Sequence, residues 1–304
     1  MKRKVRLGTF SPSVLVEVAA STGALATAGL DIEEVPATSS PSQFTELLAG
    51  GLDAVLTNPD NVLAYRCVPG NPLGRTADVR ILAAIDRGLG LSLFAEPGYA
   101  EPDDLRGKVL GVDVAGSGFA FVAFALLNRL GLEAGQDCEI QALGSTPRRA
   151  EALLSGQCAC TVLNAGNDLF AEANGAHRLA NASSLGPYVG AVLAATGEAL
   201  EKEHEMLAEL TKVLVTTAAD LVAGKHADAV LAATLNRLAL DDESALRYVA
   251  TLLDHTEGLV PDGRLPPEAL DTVISLRNRR SPAGRLTLER VLESGLIDES
   301  LLPQ

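Results

Sequence analysis

The chain lacks several features that mark common functional classes. It has no tryptophan and only 4% aromatic residues, and its 25 lysines and arginines stand against 39 acidic residues, for a net charge of -14 over 304 residues. Proteins that bind nucleic acid present a basic face, which this composition does not supply. No uncharged apolar run reaches the ~18 residues of a membrane span. The four cysteines are too few for a disulfide scaffold.

Apolar residues, in contrast, are abundant. They make up 47% of the chain, which is enough for a substantial core in one large domain or two smaller ones. The N-terminus runs from Met1-Lys2-Arg3-Lys4 directly into Val5, without the apolar stretch that a secretory leader requires. The sequence as it stands therefore predicts a cytoplasmic protein, or a periplasmic or extracellular one if a leader has been removed.

An internal repeat is the strongest pattern in the chain. Segment 5–61 aligns with segment 111–167 without a gap, with 14 identities. Many identities fall on residue types that fix turns, caps and strand ends. They include the pairs Ser11 and Ser117, Gly29 and Gly135, Ser39 and Ser145, Pro41 and Pro147, Asn58 and Asn164, and Asn61 and Asn167. We therefore expect the two copies to fold alike.

Each copy has the pattern strand, loop, helix, strand, loop, helix, strand, loop. The first copy predicts strands over 5–8, 31–36 and 53–56, and the second predicts strands over 109–114 and 159–163. Ser40 is predicted to be a helix N-cap, with Pro41 at the first helical position and Gln43 closing a capping box. Thr146 is predicted to cap its helix in the same way.

Two further strand-like stretches, 80–95 and 188–195, are predicted to cross between the two units. Beyond Glu198 the chain has helical periodicity. The predicted helices include 206–223, 227–238, 244–253 and 267–279. Alternating strands and helices predict parallel-rich sheets covered by helices. The expected fold is therefore α/β, with two lobes, two crossover strands at the hinge and a helical C-terminal segment.

The loops at the carboxyl ends of parallel strands are where such folds bind ligands. These loops are small and polar, and each precedes a helix whose N-terminus attracts negative charge. They are predicted to suit carboxylate, sulfonate, phosphate or polar carbonyl groups. Ser40 and Thr146 are more simply explained as N-caps alone, and Asn58 and Asn164 can be explained as turn formers. The six loops are 9–13, 37–40, 57–61, 115–118, 144–146 and 164–168.

Three segments carry a family resemblance. KVLGVDVAGSGFAFVA, GSTPRRAEALLSGQ and LLAGGLDAVLTNPDN resemble the nitrate/sulfonate/taurine type of ABC-transporter substrate-binding protein. The resemblance covers about residues 4–260 and extends to the pyrimidine-precursor synthases of thiamine biosynthesis. It implies a type 2 periplasmic-binding-protein fold whose lobes close on the ligand by hinge bending. Lobe one would then comprise 1–86 plus 198–304, and lobe two 87–197.

Ligand-binding residues follow from the resemblance and from the loops. The resemblance places Tyr188 near the hinge and six residues in the cleft, namely Phe10, Ser11, Ser40, Asn58, Ser117 and Asn164. The loops add further candidates, which complete the set named below. One of Arg148 and Arg149 is a candidate to reach an anionic ligand. Asp60 and Asp168 could pair with a ligand amine or act as a base, but ordinary helix-start carboxylates need no such role. The full candidate set is Phe10, Ser11, Ser40, Asn58, Asp60, Asn61, Ser117, Gly118, Phe119, Thr146, Asn164 and Tyr188.

The first functional hypothesis is a substrate-binding protein of an ABC importer that binds a small polar, anionic or carboxylate- or sulfonate-bearing molecule. Its partners would be that ligand and, if the chain is exported, an ABC permease. The alternative is a cytoplasmic lyase or hydrolase acting on a small aromatic or carboxylate metabolite, with Ser11, Asn58 or Ser117 polarising a carbonyl. Chorismate-dehydratase-type chemistry stays open, whereas the desulfinase reaction would need a cysteine in the first loop. A ligand sensor without catalysis is the third hypothesis.

The cysteines and histidines favour structural roles. Cys158 and Cys160 fall on a predicted buried strand, so their side chains should enter the core. The four histidines form no recognised metal motif and are expected at the surface. Asp254 to Glu257 contains possible metal ligands, but a solvated helix end explains it more simply. No metal and no cofactor are predicted.

Overall fold

Two five-stranded sheets form the framework of the computed structural model, which describes residues 2–280 and 285–303. Sheet A has the strand order β2-β1-β3-β10-β4, and sheet B has the order β7-β6-β8-β5-β9. The strands are β1 Arg3–Thr9, β2 Leu30–Pro36, β3 Ala54–Thr57, β4 Val79–Asp86, β5 Ser92–Ala95, β6 Val109–Val112, β7 Glu139–Ala142, β8 Cys160–Leu163, β9 His177–Asn181 and β10 Ala191–Thr196.

The repeat builds the parallel half of each sheet. In sheet A, β1 lies between β2 and β3, and in sheet B, β6 lies in the same way between β7 and β8. The gapless alignment is wrong at the first strand, however. Gly8 pairs with Val55 and Gly111 with Thr161, so the first strands are offset by 103 residues and the third strands by 106. The following helical segments differ accordingly, and Ser117 is not the structural counterpart of Ser11.

The crossing segments complete each sheet with strands that lie beside the repeat. The chain leaves sheet A after β4, enters sheet B as β5 and returns to sheet A as β10. β5 is antiparallel to β8, and β10 is antiparallel to both β3 and β4. The crossing predicted from stretches 80–95 and 188–195 is confirmed, although the second strand begins only at Ala191. The lobe boundaries stay a prediction, and sheet A includes residues 191–196 from the range assigned to lobe two.

Thirteen α-helices among the described residues cover the sheets. The helices are α1 Val14–Ser21, α2 Ala24–Thr27, α3 Ser40–Leu48, α4 Pro59–Cys67, α5 Gly118–Arg129, α6 Thr146–Leu154, α7 Asn167–Ala173, α8 Gly197–Lys202, α9 His204–Val222, α10 Ala227–Arg237, α11 Asp242–Leu253, α12 Pro267–Arg280 and α13 Leu288–Glu293. Within the described ranges, none of them has the length and apolar character needed to cross a membrane.

Each sheet packs an apolar core on both faces. On sheet A, residues of α1, α9, α10 and α11 cover one face, and residues of α3, α4 and α12 cover the other. On sheet B, α5 covers one face, and α6 and α7 cover the other. Cys160 belongs to the first core of sheet B and Cys158 to the second, which confirms their placement in the core. All four histidines are exposed, as predicted.

The predicted N-caps of α3 and α6 are wrong by one residue. Ser39 caps α3. Its hydroxyl accepts a hydrogen bond from the Ser42 amide, and the Ser42 hydroxyl accepts one from the Ser39 amide. Ser145 holds the N-cap position of α6. Gln43 does not close the capping box, because its amide turns inward and donates to the carbonyls of Gly8 and Leu56, both at 3.2 Å.

Candidate functional site

A cleft lies between the carboxyl ends of the parallel strands in the two sheets. Five of the six predicted loops contribute to its lining, and 37–40 does not. Its walls combine apolar side chains with a few polar ones, namely Thr9, Phe10, Ser11, Pro12, Ser13, Val14, Leu15, Leu56, Thr57, Asn58, Asn61, Ile85, Asp86, Leu89, Asp113, Ser117, Phe119, Thr146, Arg149, Asn164, Ala165, Gly190, Ala191, Tyr248, Leu252 and Leu259.

Most of the predicted binding residues meet in this cleft. Eight of the twelve line it, namely Phe10, Ser11, Asn58, Asn61, Ser117, Phe119, Thr146 and Asn164. The other four, Ser40, Asp60, Gly118 and Tyr188, are buried beside it and contact neighbouring protein groups. Their contacts explain why they are packed away from the lining.

Ser40 and its loop connect the two lobes directly. The Ser40 amide donates to Oδ2 of Asp113 at 3.1 Å, and the Ser145 amide donates to the Thr38 carbonyl at 3.1 Å. Loop 37–40 therefore packs against loop 144–146 at one side of the cleft.

Asp60 forms a buried ion pair instead of facing the cleft. Its two carboxylate oxygens each accept a 2.7 Å hydrogen bond from Arg277 on α12. Burial raises the pKa of the Asp60 carboxyl, and the Arg277 charge opposes that shift. Arg277 also lies over the ring of Phe121 and donates to the carbonyl of Gly116. Helix α12 thereby ties α4 of the first copy to α5 of the second.

Gly118 and Tyr188 pack around Asn58. A side chain at position 118 would collide with Oδ1 of Asn58, so a glycine is required for this approach. The Tyr188 hydroxyl accepts a 2.8 Å hydrogen bond from Nδ2 of Asn58.

Asn58 and Asn164 hold the two crossing segments. Nδ2 of Asn58 donates to the Gly190 carbonyl at 3.2 Å, and Nδ2 of Asn164 donates to the Gly88 carbonyl at 2.9 Å. A side chain at Gly190 would collide with Gly88, so the segments touch where these amides bind them. The repeated asparagines therefore secure the hinge as well as line the cleft.

Helix N-termini supply partial positive charge to the cleft. Ser13, Asn58 and Ser117 cap α1, α4 and α5, and each side chain accepts a hydrogen bond from an amide of its helix. All three line the cleft. Because free amides and the helix dipole attract anions, this wall favours an acidic or carbonyl group.

Arg149 is the cation of the cleft wall, and it is 1% exposed. It donates to the hydroxyls of Thr161 and Thr146 and to the carbonyls of Gly144 and Val162, at 2.6 to 3.2 Å. A guanidinium has five N–H donors, so these four bonds leave one on Nη1. Burial lowers the pKa of Arg149 to about 10, and the nearby Asp113 charge opposes the shift. Arg148, in contrast, is exposed.

Sequence reasoning missed two carboxylates of the lining, Asp86 and Asp113. Burial raises the pKa of Asp86 to about 6, and its Oδ1 accepts a 2.8 Å bond from the Gly88 amide. Each aspartate follows an apolar run, ILAAI before Asp86 and VLGV before Asp113. A charged residue directly after a buried strand marks the strand's carboxyl end, and that signal could have identified both.

Leu89 and Ala165 add an unusual backbone feature. Both are non-glycine residues with positive φ, 49° and 53°, and the Ala165 amide donates to the Leu89 carbonyl at 3.0 Å. Both line the cleft. Left-handed backbone at non-glycine residues is strained and concentrates at functional sites. Leucine and alanine give no sign in the sequence of this left-handed backbone.

Two lobes around a central cleft, with exchanged antiparallel strands at the crossing, define the fold of periplasmic binding proteins. No family model and no curated protein matches this chain. Solved structures do match, at low sequence identity, and all those considered below show this fold.

The nitrate-binding protein from Synechocystis PCC 6803 matches with a TM-score of 0.80 and 13% identity. The alignment covers 99% of this chain and 87% of the nitrate-binding protein. The alkanesulfonate-binding protein from Xanthomonas axonopodis pv. citri, bound to MOPS, has a TM-score of 0.74 and 15% identity, with 98% and 99% covered. The ligand-binding component of an ABC-type import system from Staphylococcus aureus, with zinc bound, has a TM-score of 0.76 and 12% identity, with 99% and 98% covered.

Proposed function

We propose that this chain is the substrate-binding component of an ABC-type importer and that it holds a small polar molecule with an acidic group in the interlobe cleft. The observation that carries the proposal is the cleft wall itself. Arg149 keeps one N–H without an acceptor among the described residues, and the N-termini of three helices line the same cleft. A permease is then the protein partner, and a periplasmic or extracellular location follows from the role.

The solved structures with this fold support a binding role, because those compared above are a nitrate-binding protein, an alkanesulfonate-binding protein and the ligand-binding component of an ABC-type import system. They do not favour the alternative of a lyase or hydrolase. The serine, threonine and asparagine side chains of the lining, together with Arg149, offer hydrogen bonds and charge for binding.

The test is a thermal-shift panel of small carboxylates, sulfonates and nitrate, with mass analysis of each hit after incubation. A ligand stabilises the folded chain by RT ln(1 + [L]/Kd), so a true ligand raises Tm in a concentration-dependent way. We expect the hit to be recovered chemically unchanged. Recovery of a converted product would replace the binding role by the enzyme alternative.

Ser117→Trp tests the location of the site. Ser117 is 3% exposed and lines the cleft, so an indole there fills ligand space. We expect the shift to disappear in this variant and to persist in Ser21→Trp, which alters an exposed residue at the end of α1. A ligand shift that survives Ser117→Trp would place binding outside the cleft.

A further inference from the structure

The cleft contains an acidic side chain, Asp113, in addition to the helix N-termini and Arg149 of its anion-binding wall. Asp113 is 6% exposed and lines the cleft. Its Oδ2 accepts the amide of Ser40, whereas its Oδ1 is buried and accepts no hydrogen bond from any described residue. A buried carboxylate oxygen without a donor is costly, because it has lost water and gained nothing in exchange.

The electrostatic balance of the lining adds to this requirement. Within the described residues, the charged side chains of the lining are Asp86, Asp113 and Arg149, so negative charge exceeds positive charge by one. Arg149 lies near Asp113 but donates no hydrogen bond to its Oδ1, because its four hydrogen bonds go to threonine hydroxyls and backbone carbonyls. A ligand with only acceptor atoms, such as a simple sulfonate or nitrate, would leave Oδ1 without a donor and would meet two carboxylates.

We propose that Asp113 is the subsite for a cationic nitrogen of the ligand, so that the molecule bound in the cleft carries an amine or amidine group together with its acidic group. This inference rests on the proposed binding function and narrows its ligand class. The N–H of the ligand donates to Oδ1 of Asp113, and the acidic group meets the free Nη1–H of Arg149 and the helix N-termini. Asp86 adds negative potential to the same cavity.

The test compares three probes built on a benzene ring, benzoate, benzylamine and 4-(aminomethyl)benzoate, by calorimetry and thermal shift on the full chain. We expect 4-(aminomethyl)benzoate to bind about tenfold more tightly than benzoate, which is the effect of one good charged hydrogen bond. Equal or tighter binding of benzoate overturns the amine subsite while leaving cleft binding intact. Absence of binding by all three probes also overturns it, and the wider panel above then decides the proposed function independently.

Asp113→Asn is the decisive variant because it is isosteric. Its amide oxygen can still accept the Ser40 amide, while an NH₂ group replaces Oδ1 and the negative charge is lost. We expect the advantage of 4-(aminomethyl)benzoate to vanish and benzoate to bind more tightly than in the original chain.

Asp168→Asn is the matched control. Asp168 is a buried carboxylate like Asp113, but it lies outside the cleft lining. The control should leave the ratio between the probes unchanged. If Asp113→Asn keeps the tenfold ratio, or if Asp168→Asn abolishes it, the assignment to Asp113 is wrong.

Discussion

The two copies of the repeat place different residues at one equivalent position. In the first copy, Gln43 on α3 donates to the Leu56 carbonyl at the end of β3, at 3.2 Å. In the second, Arg149 on α6 donates to the matching carbonyl of Val162 at the end of β8, at 3.1 Å. The same backbone geometry therefore accommodates a neutral amide in one lobe and a cation in the other, because each reaches a strand carbonyl.

The difference between Gln43 and Arg149 makes the two sides of the cleft unlike in charge. Gln43 does not line the cleft, whereas Arg149 does and keeps one donor free. The carboxylates after the third strands differ as well. Asp60 is paired by two 2.7 Å hydrogen bonds to Arg277, whereas the ion pair of Asp168 with Arg178 is 3.8 Å long and its Oδ1 accepts the Gly166 amide at 3.0 Å. The charged carboxylate of the first copy, Asp60, therefore helps to hold the lobes together. In the second copy, Arg149 keeps a donor free and Asp168 is weakly paired.

The largest expected effect comes from breaking the pair in the first copy. Asp60→Ala leaves Arg277 buried without its partner, and loss of one member of a buried ion pair costs about 3–5 kcal/mol. Urea unfolding measures the loss. The double variant with Arg277→Met should be more stable than Asp60→Ala alone, because no lone charge is left. Equal stability of the two variants would contradict the role of the pair.

The weakly paired carboxylate of the second copy predicts a pH effect. Burial raises the pKa of Asp168 from 3.8 to about 6, so the folded chain holds its proton more tightly than the unfolded chain does. The resulting stabilisation is complete below about pH 4 and is lost as the pH rises through 6, and it amounts to about 3 kcal/mol.

Urea unfolding from pH 4 to pH 7 tests this comparison through Asp168→Asn, which does not titrate. The difference in stability between the original chain and the variant should change by that amount, in favour of the variant at higher pH. A pH-independent difference would mean that Asp168 titrates as an unburied carboxylate does.

The smallest loss of stability should come from replacing Arg149 by glutamine, the residue that the first copy has at the equivalent position. Arg149→Gln places the residue of the first copy in the second. Its amide can still reach the Val162 carbonyl but leaves that of Gly144 unpaired, at a cost of about 1–3 kcal/mol. Arg148→Gln, at the exposed neighbouring position, should change stability by less than about 0.5 kcal/mol. A loss at Arg149 no greater than at Arg148 would show that the four hydrogen bonds contribute nothing measurable.

Much of the fold could be predicted from residue patterns. The repeat, its strands and the crossing segments were readable because strand ends, turns and helix starts use characteristic residues. The capping residues were misplaced by one because consecutive serines, Ser39 and Ser40, both satisfy the local rule. The three-residue offset at the first strand was missed for a similar reason, since the alignment of Ser11 with Ser117 matched residue type without regard to pairing register.

The candidate site was only partly predictable. Loop position brought eight of the twelve predicted residues to the cleft, because parallel strands end at one edge of a sheet. Ser40, Asp60, Gly118 and Tyr188 were packed instead by contacts with segments distant in sequence. Asp60 illustrates the limit, since its partner Arg277 lies 217 residues away and no local pattern pairs them.

The amino-acid sequence by itself determined the alternation of strands and helices, the doubling of the unit and the small polar loops at the strand ends, since these depend on local propensity and periodicity. The tertiary structure alone decided which polar groups stay unpaired. Whether a buried side chain such as Arg149 or Asp113 has a free donor or acceptor depends on every neighbour that folding brings to it. That long-range pairing, rather than residue type, defines the charge and hydrogen-bonding character of the cleft.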